Sequence, residues 1–212
     1  MSDSPLNPVP TTRARVVLLS GPSGSGKSSL AERSGLPVLQ LDDFYKDGDD
    51  PTLPLLPDGA VDWDSPLAWH RDQAVAAIRS LYETGRADVP VYSIPHNGRI
   101  DTRVLDLAGA PAFIAEGIFA AEIATECAAE GLLGDALCLR NGALTTAWRR
   151  LRRDVREGRK SLPVLVRRGW RLMRAERSIV ERQVALGSYP CAGPEAARRI
   201  TAAAWATEYS AV

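Results

Sequence analysis

The sequence predicts an α/β fold in which a parallel sheet is covered by helices on both faces. Short apolar runs rich in β-branched residues alternate with helical stretches over most of the chain. The first run, Val16 to Ser20, leads into Gly21-Pro22-Ser23-Gly24-Ser25-Gly26-Lys27-Ser28, which reads G-x-x-x-x-G-K-[ST] without a mismatch. A helical stretch, Ser28 to Arg33, follows and Gly35 stops it. Strand, glycine loop and helix in that order are what a phosphate-binding P-loop requires, so the sheet is expected to be of the P-loop NTPase type.

The chemistry of this loop follows from its residue types. Glycines let successive backbone N–H groups turn inward, and a helix N-terminus adds positive potential for a polyphosphate. Gly21, Ser23, Gly24, Ser25, Gly26, Lys27, Ser28 and Ser29 are the expected nucleotide contacts. Lys27 would reach the terminal phosphates and the Ser28 hydroxyl would ligate Mg²⁺. Lys27, Lys46 and Lys160 are the only lysines in an arginine-rich chain. A lysine kept at this position suits a need for a compact point charge rather than a planar fork.

The remaining elements are expected in the following order. Pro37 to Leu41 is a second buried strand ending at Asp42. Lys46 to Pro66 is loop. Ser65 caps a helix with Pro66 at its first position, running to Thr84 before Gly85. Val89 to Ile94 and Gly98 to Leu105 form a two-stranded excursion, about 88–106, that turns near His96-Asn97-Gly98. Pro111 to Ala115 is a third core strand closed by Glu116-Gly117, with an alanine-rich helix to Glu130 behind it. Asp135 to Arg140 is a fourth strand. Helices follow over 144–156 and 162–186, flanking Gly158-Arg159-Lys160, and the segment from Pro194 to Tyr209 is helical. No fifth strand is expected around Gly187 to Gly193.

Composition sets the class. The chain has 212 residues, 45% hydrophobic and 25% charged, as in an ordinary globular protein. One domain over 14–212 is expected, behind a disordered leader, 1–13. The leader has no basic n-region or apolar core, so it is not a secretory signal, and no apolar run is long enough to span a membrane. Cys127, Cys138 and Cys191 are odd in number and lack metal-ligand spacing, which disfavours a disulfide framework and a zinc site. A cytoplasmic location is the expectation. Net charge is zero, with 26 basic and 26 acidic residues. Twelve basic and three acidic residues lie between Arg149 and Arg177, a block that suits an anion site or a nucleic-acid face.

Ligands of an open α/β sheet sit at the carboxyl ends of its strands. Three predicted strands end there in a phosphate loop or an acid, namely at Ser20, Leu41-Asp42 and Ala115-Glu116. A carboxylate at such a point can take a proton from an attacking hydroxyl or hold Mg²⁺. Asp42 is the expected general base, and Asp42 and Glu116 with Ser28 are the expected metal-side groups.

Taken together these pieces resemble the P-loop kinases that include uridine–cytidine kinase and phosphoribulokinase. The resemblance runs from about Arg15 to Gly158. It rests on the P-loop, Leu41-Asp42-Asp43-Phe44-Tyr45 for the family's D-x-F-Y, and Asp62-Trp63-Asp64-Ser65-Pro66 for its F-D-x-P. Pro90-Val91-Tyr92 with His96 and Arg99, Glu116-Gly117-Ile118, and Arg152 to Arg159 complete it. The resemblance implies an ATP- and Mg²⁺-dependent kinase whose base is Asp42. Asp64 would contact ribose hydroxyls, Tyr92 and His96 would line a base pocket, and Arg99 would lie with them. Arg153, Arg156 and Arg159 would belong to a helical lid, about 144–162, closing over the phosphates. The implied partner is a small-molecule acceptor, a nucleoside before others. A homo-oligomer stays open, and a nucleic acid or a membrane is not expected. Another alcohol on the same scaffold, such as a sugar phosphate or pantothenate, stays open as acceptor. So does a nucleotide switch that docks RNA or a protein. The pocket departs from the family at Ser93 and Ile94, which replace an acid and an aromatic, and Asp43 adds a charge beside the base.

Overall fold

The computed structural model describes residues 13–140 and 177–209. Its main sheet has five strands: β1 (Arg15–Ser20), β2 (Val38–Gln40), β5 (Ala112–Glu116), β6 (Leu133–Leu139) and β7 (Tyr189–Cys191). They lie in the order β2-β5-β1-β6-β7, and every pairing is parallel. The predicted parallel sheet is therefore present. β1 is buried from Val16 to Ser20 and β5 along its whole length, because helices cover both faces. The helices are α1 (Lys27–Ser34), α2 (Arg71–Thr84), α3 (Ala124–Ala129), α4 (177–185) and α5 (Gly193–Tyr209).

Two apolar layers hold the sheet. On one face Val16, Leu18, Phe113 and Ala115 pack with Val75, Ile78 and Leu81 of α2. On the other, Val17, Leu19, Ile114, Leu137 and Leu139 pack with Leu30 of α1 and Ile200 of α5. The alternation of β1 between these layers is the period-2 rule applied to a strand buried on both sides. Helix α1 ends where predicted, at Gly35, whose φ of 73° is the left-handed conformation of a glycine C-cap.

β3 (Arg86–Ser93) and β4 (Gly98–Asp106) form the predicted antiparallel excursion, with the turn through Asn97 at φ 52°. Its tip is fastened to the loop after β2. Asp47 Oδ1 accepts the Arg99 N–H at 2.7 Å, and the Gly48 N–H donates to the Asn97 carbonyl at 2.7 Å. A Cβ on Gly48 would sit 1.8 Å from Asn97 Nδ2 and 3.1 Å from its carbonyl oxygen. Gly48→Ala should therefore release the tip and cost about 1–3 kcal/mol through overpacking. Faster proteolysis or amide exchange over 93–99 would register it, and an unchanged rate would exclude it.

Several expectations are corrected. The helix predicted from Pro66 begins instead at Arg71; Pro66–Ala68 is a short 3₁₀ turn capped by Ser65. Trp69 is extended and pairs with Tyr45, while the His70 N–H donates to the Phe44 carbonyl. Tertiary pairing thus overrides a good N-cap and Pro signal. The alanine-rich helix is divided into a 3₁₀ turn, Ala120–Ile123, and α3. A fifth main-sheet strand does exist, β7, paired to β6 through Leu137↔Tyr189 and Leu139↔Cys191. Three residues with a central proline carry almost no periodicity, so the sequence hides it. All three cysteines are free and buried. The leader before residue 13, and the lid with its arginines, lie outside the described residues. Among the described residues no helix is long and apolar enough to cross a membrane.

Candidate active site

The strand order places three functional termini side by side. β5 lies between β1 and β2, so Glu116 stands between the P-loop after β1 and Asp42 after β2. Two backbone hydrogen bonds of the P-loop keep its shape: Ser25 N–H to the Pro22 carbonyl and Leu30 N–H to the Gly26 carbonyl. Gly21 has φ 141°, and a Cβ there would lie 2.5 Å from the Leu139 carbonyl oxygen, so only glycine fits between β1 and the end of β6. Lys27 is 8% exposed, and its Nζ donates to the carbonyls of Gly21 at 2.9 Å and Pro22 at 3.4 Å. Ser23, Ser28 and Ser29 are exposed at the loop, and Ser25 is buried within it.

Asp42 is the second residue of the 3₁₀ turn Leu41–Phe44. Trp69 pins this turn, its Nε1–H donating to the Leu41 carbonyl at 2.9 Å. Asp42 is open to solvent on its cleft side and enclosed by protein elsewhere. Desolvation, and next the charge of Glu116, push its carboxyl up to about 6, against the opposing pull of Lys27 and a hydrogen bond from the Ile118 N–H. Glu116 is 5% exposed. The Glu116-Gly117-Ile118 turn approaches Asp42 closely, since a Cβ on Gly117 would stand 2.9 Å from Asp42 Oδ1.

These groups suit a hard divalent cation. Ser28, Asp42 and Glu116 offer only oxygen donors, the ligand type Mg²⁺ takes. Asp42 and Glu116 repel one another, and a cation between them would relieve that repulsion.

Beside Asp42 lies an aromatic cluster centred on Tyr45. Its ring is 5.8 Å from Trp63, 6.0 Å from Tyr92 and 5.7 Å from Phe119. The Tyr45 hydroxyl donates to the Trp63 carbonyl. Burial, then the charges of Asp42 and Asp64, raise its pKa. The structure thus brings Asp42, Asp64 and Tyr92 around one aromatic wall. Asp64 itself is exposed. Tyr92 is tied to the turn by its backbone N–H, which Asp43 Oδ1 accepts at 3.2 Å. The extra acid is therefore a strut for the hairpin.

His96 and Arg99 stand elsewhere. His96 is exposed in the hairpin turn, its Nδ1 hydrogen-bonded to Ser93 Oγ at 2.7 Å. Arg99 lines a separate hollow between the hairpin and α2, with Phe44, Gln73 and Thr102. Tyr189 donates to Glu195 at 3.0 Å and lies beneath the Arg199 guanidinium. The cleft of about 600 Å³ on the other side of the P-loop is lined by Ser25, Gly26, Leu139, Gly193, Pro194 and Thr201. Sequence reasoning missed Tyr45, Trp69 and Phe119 as parts of the site. Tyr45 stands inside the quoted D-x-F-Y, which is the signal that could have flagged it.

A P-loop on the middle strand of a five-stranded parallel sheet, with acids on two neighbouring strand ends, is the architecture of the P-loop kinases. Two solved structures share this fold. A protein assigned as a fructose transport system kinase from Silicibacter sp. TM1040 matches at a TM-score of 0.58 and 20% identity, over 84% of this chain and 88% of that one. Phosphoribulokinase from Rhodobacter spheroides matches at 0.52 and 15% identity, over 85% and 70%. In sequence the chain is related to uridine kinases. It is 33% identical over 125 residues to that of Saccharomyces cerevisiae, covering 52% of this chain and 24% of the relative. It is 26% identical over 163 residues to that of Bacillus thuringiensis, covering 74% of each. The chain spans about a quarter of the length of the yeast relatives it matches, 24% and 28%. No family model matches it. The resemblance read from the motifs is met in both sequence relatives and fold.

Proposed function

We propose that the chain is an ATP- and Mg²⁺-dependent kinase that phosphorylates a hydroxyl of a small metabolite, the 5′-hydroxyl of a pyrimidine nucleoside such as uridine or cytidine before others. The observation that carries the reading is the row of P-loop, Glu116 and Asp42 on three adjacent strands, with the Tyr45 wall beside it. Asp42 would take the proton of the attacking hydroxyl, and Lys27 would neutralise charge on the phosphoryl in transit. Ser28, Asp42 and Glu116 would hold Mg²⁺, which supplies charge neutralisation on the phosphates. Arg153 and Arg159 would act over the transferring group and Arg156 on the donor. Asp64 and Tyr92 would orient the acceptor. A soluble enzyme of the cytoplasm, free or as a homo-oligomer, fits this role.

Another alcohol, such as a sugar phosphate, is the second reading. It is favoured by the hydrogen bond of His96 to Ser93, which engages one of the two ring nitrogens within the hairpin turn. A nucleotide-driven switch that docks RNA or a protein is the third reading. Coupled ADP release with Mg-ATP across nucleosides, sugar phosphates and pantothenate separates the readings. Turnover that requires uridine or cytidine supports the first. Turnover with a different alcohol moves the substrate and keeps the kinase. Hydrolysis indifferent to every small acceptor rejects both.

A further inference from the structure

Gln183 is a buried polar side chain to which the P-loop chemistry gives no role. It lies on α4, is 4% exposed, and both ends of its amide are engaged. Nε2–H donates to the Ile118 carbonyl at 3.1 Å, and Oε1 accepts from the Cys138 thiol at 3.1 Å. The opposite amide orientation would set oxygen against the Ile118 carbonyl oxygen, so the network admits one orientation. The Glu116-Gly117-Ile118 turn comes close to the Asp42 carboxylate, since a Cβ on Gly117 would stand 2.9 Å from Asp42 Oδ1. Gln183 therefore grips the turn one residue from its close approach to the group that would accept the proton.

We propose that Gln183 is a positioning residue. It holds the Glu116-Gly117-Ile118 turn from behind and thereby fixes the Asp42 carboxylate relative to the P-loop. The proposal rests on the kinase reading for the role of Asp42, and on the hydrogen bonds alone for the fastening of the turn. Three further contacts show that this part of the chain is docked against the strand ends. Arg182, one residue earlier, makes an ion pair with Glu122 at 2.8 Å. The Ser188 N–H donates to the Gln183 carbonyl at 3.1 Å, and Ser188 Oγ meets Ser20 Oγ at the end of β1. Gln183 differs from Arg182 in what it grips. Arg182 holds a side chain beyond the turn, whereas Gln183 holds the backbone of the turn itself.

Gln183→Met keeps the length and apolar volume and removes both hydrogen bonds. Gln183→Glu keeps an acceptor for the Cys138 thiol and places a carboxylate against the Ile118 carbonyl. Both variants should lower kcat about tenfold or more, because displacement by a fraction of an ångström at a reacting group is costly. KM for ATP and for the acceptor should stay within about twofold, since neither variant touches the P-loop or the aromatic wall. Arg182→Ala should leave kcat within about twofold of wild type and serves as the control for loosening of α4. The second readout is amide exchange at Ile118, expected to quicken about tenfold or more in both Gln183 variants. Wild-type kcat in Gln183→Met, a change in KM in place of kcat, or wild-type protection of the Ile118 amide would each overturn the proposal. An inactive wild type would overturn the kinase reading instead, and the exchange measurement would still decide whether Gln183 fastens the turn.

Discussion

Asp42→Asn is expected to abolish acceptor-dependent turnover, by about 10²–10⁴-fold, while raising the melting temperature at neutral pH. The two effects share one cause. Desolvation in the fold and the nearby charge of Glu116 favour the neutral form of the carboxyl and push its pKa up to about 6 from 3.8. A carboxyl raised in this way contributes stability that is fully present below 3.8 and is lost as pH climbs through about 6. At pH 7.5, without divalent cations, the ionised Asp42 opposes folding and the asparagine does not. Thermal melts of the two proteins should separate at pH 7.5, with the variant higher, and converge by pH 4. A variant that melts lower at pH 7.5 would show that Asp42 is not strained by its neighbours, and one that keeps its turnover would show that it is not the base.

Gly117→Ala should injure catalysis nearly as much without touching a chemical group. The added Cβ would stand 2.9 Å from Asp42 Oδ1 and 2.9 Å from Leu41 Cβ. Leu41 is 1% exposed and packed into the core, so it has no room to retreat. The carboxylate must move instead, and a misplacement near 1 Å costs about 10²-fold in rate. Nucleotide affinity, read by titration with a fluorescent ATP analogue, should stay at the wild-type level because the P-loop is held by its own bonds. Wild-type kcat in this variant would mean that the close approach of the turn does not set the base.

The parts of this site written as local patterns were legible in the sequence. The P-loop, the acid after β2 and the acid after β5 each follow a short buried run, and strand ends of a parallel sheet gather on one side. Their adjacency was an inference from the fold class, and the observed strand order bears it out. What escaped depended on contacts distant in sequence. Trp69 belongs to the site through one bond to the Leu41 carbonyl, and its backbone pairing with Tyr45 delayed α2 to Arg71. Gln183 carries no motif; its meaning lies in reaching Ile118 across 65 positions of sequence. His96 and Arg99 were carried over by resemblance, and the structure bonds His96 to Ser93 and places Arg99 in the hollow beside α2. A resemblance transfers residue types, whereas the direction of a side chain depends on a register that one bulge, here between Val91 and Tyr92, can reset.

The central place of β1 also has a consequence during synthesis. Val16 pairs with Phe113 on one side, and Ser20 with Cys138 on the other. The strand that carries the phosphate loop has no sheet partner until nearly a hundred further residues have left the ribosome. At about 5–20 residues per second that is an interval of roughly 5–20 s. Through it, Val16-Val17-Leu18-Leu19 is an apolar segment with two unpaired edges, the kind of stretch that hold-type chaperones bind. Slow translation of residues 21–112 should therefore lower the yield of folded protein, while faster passage to β5 should raise it.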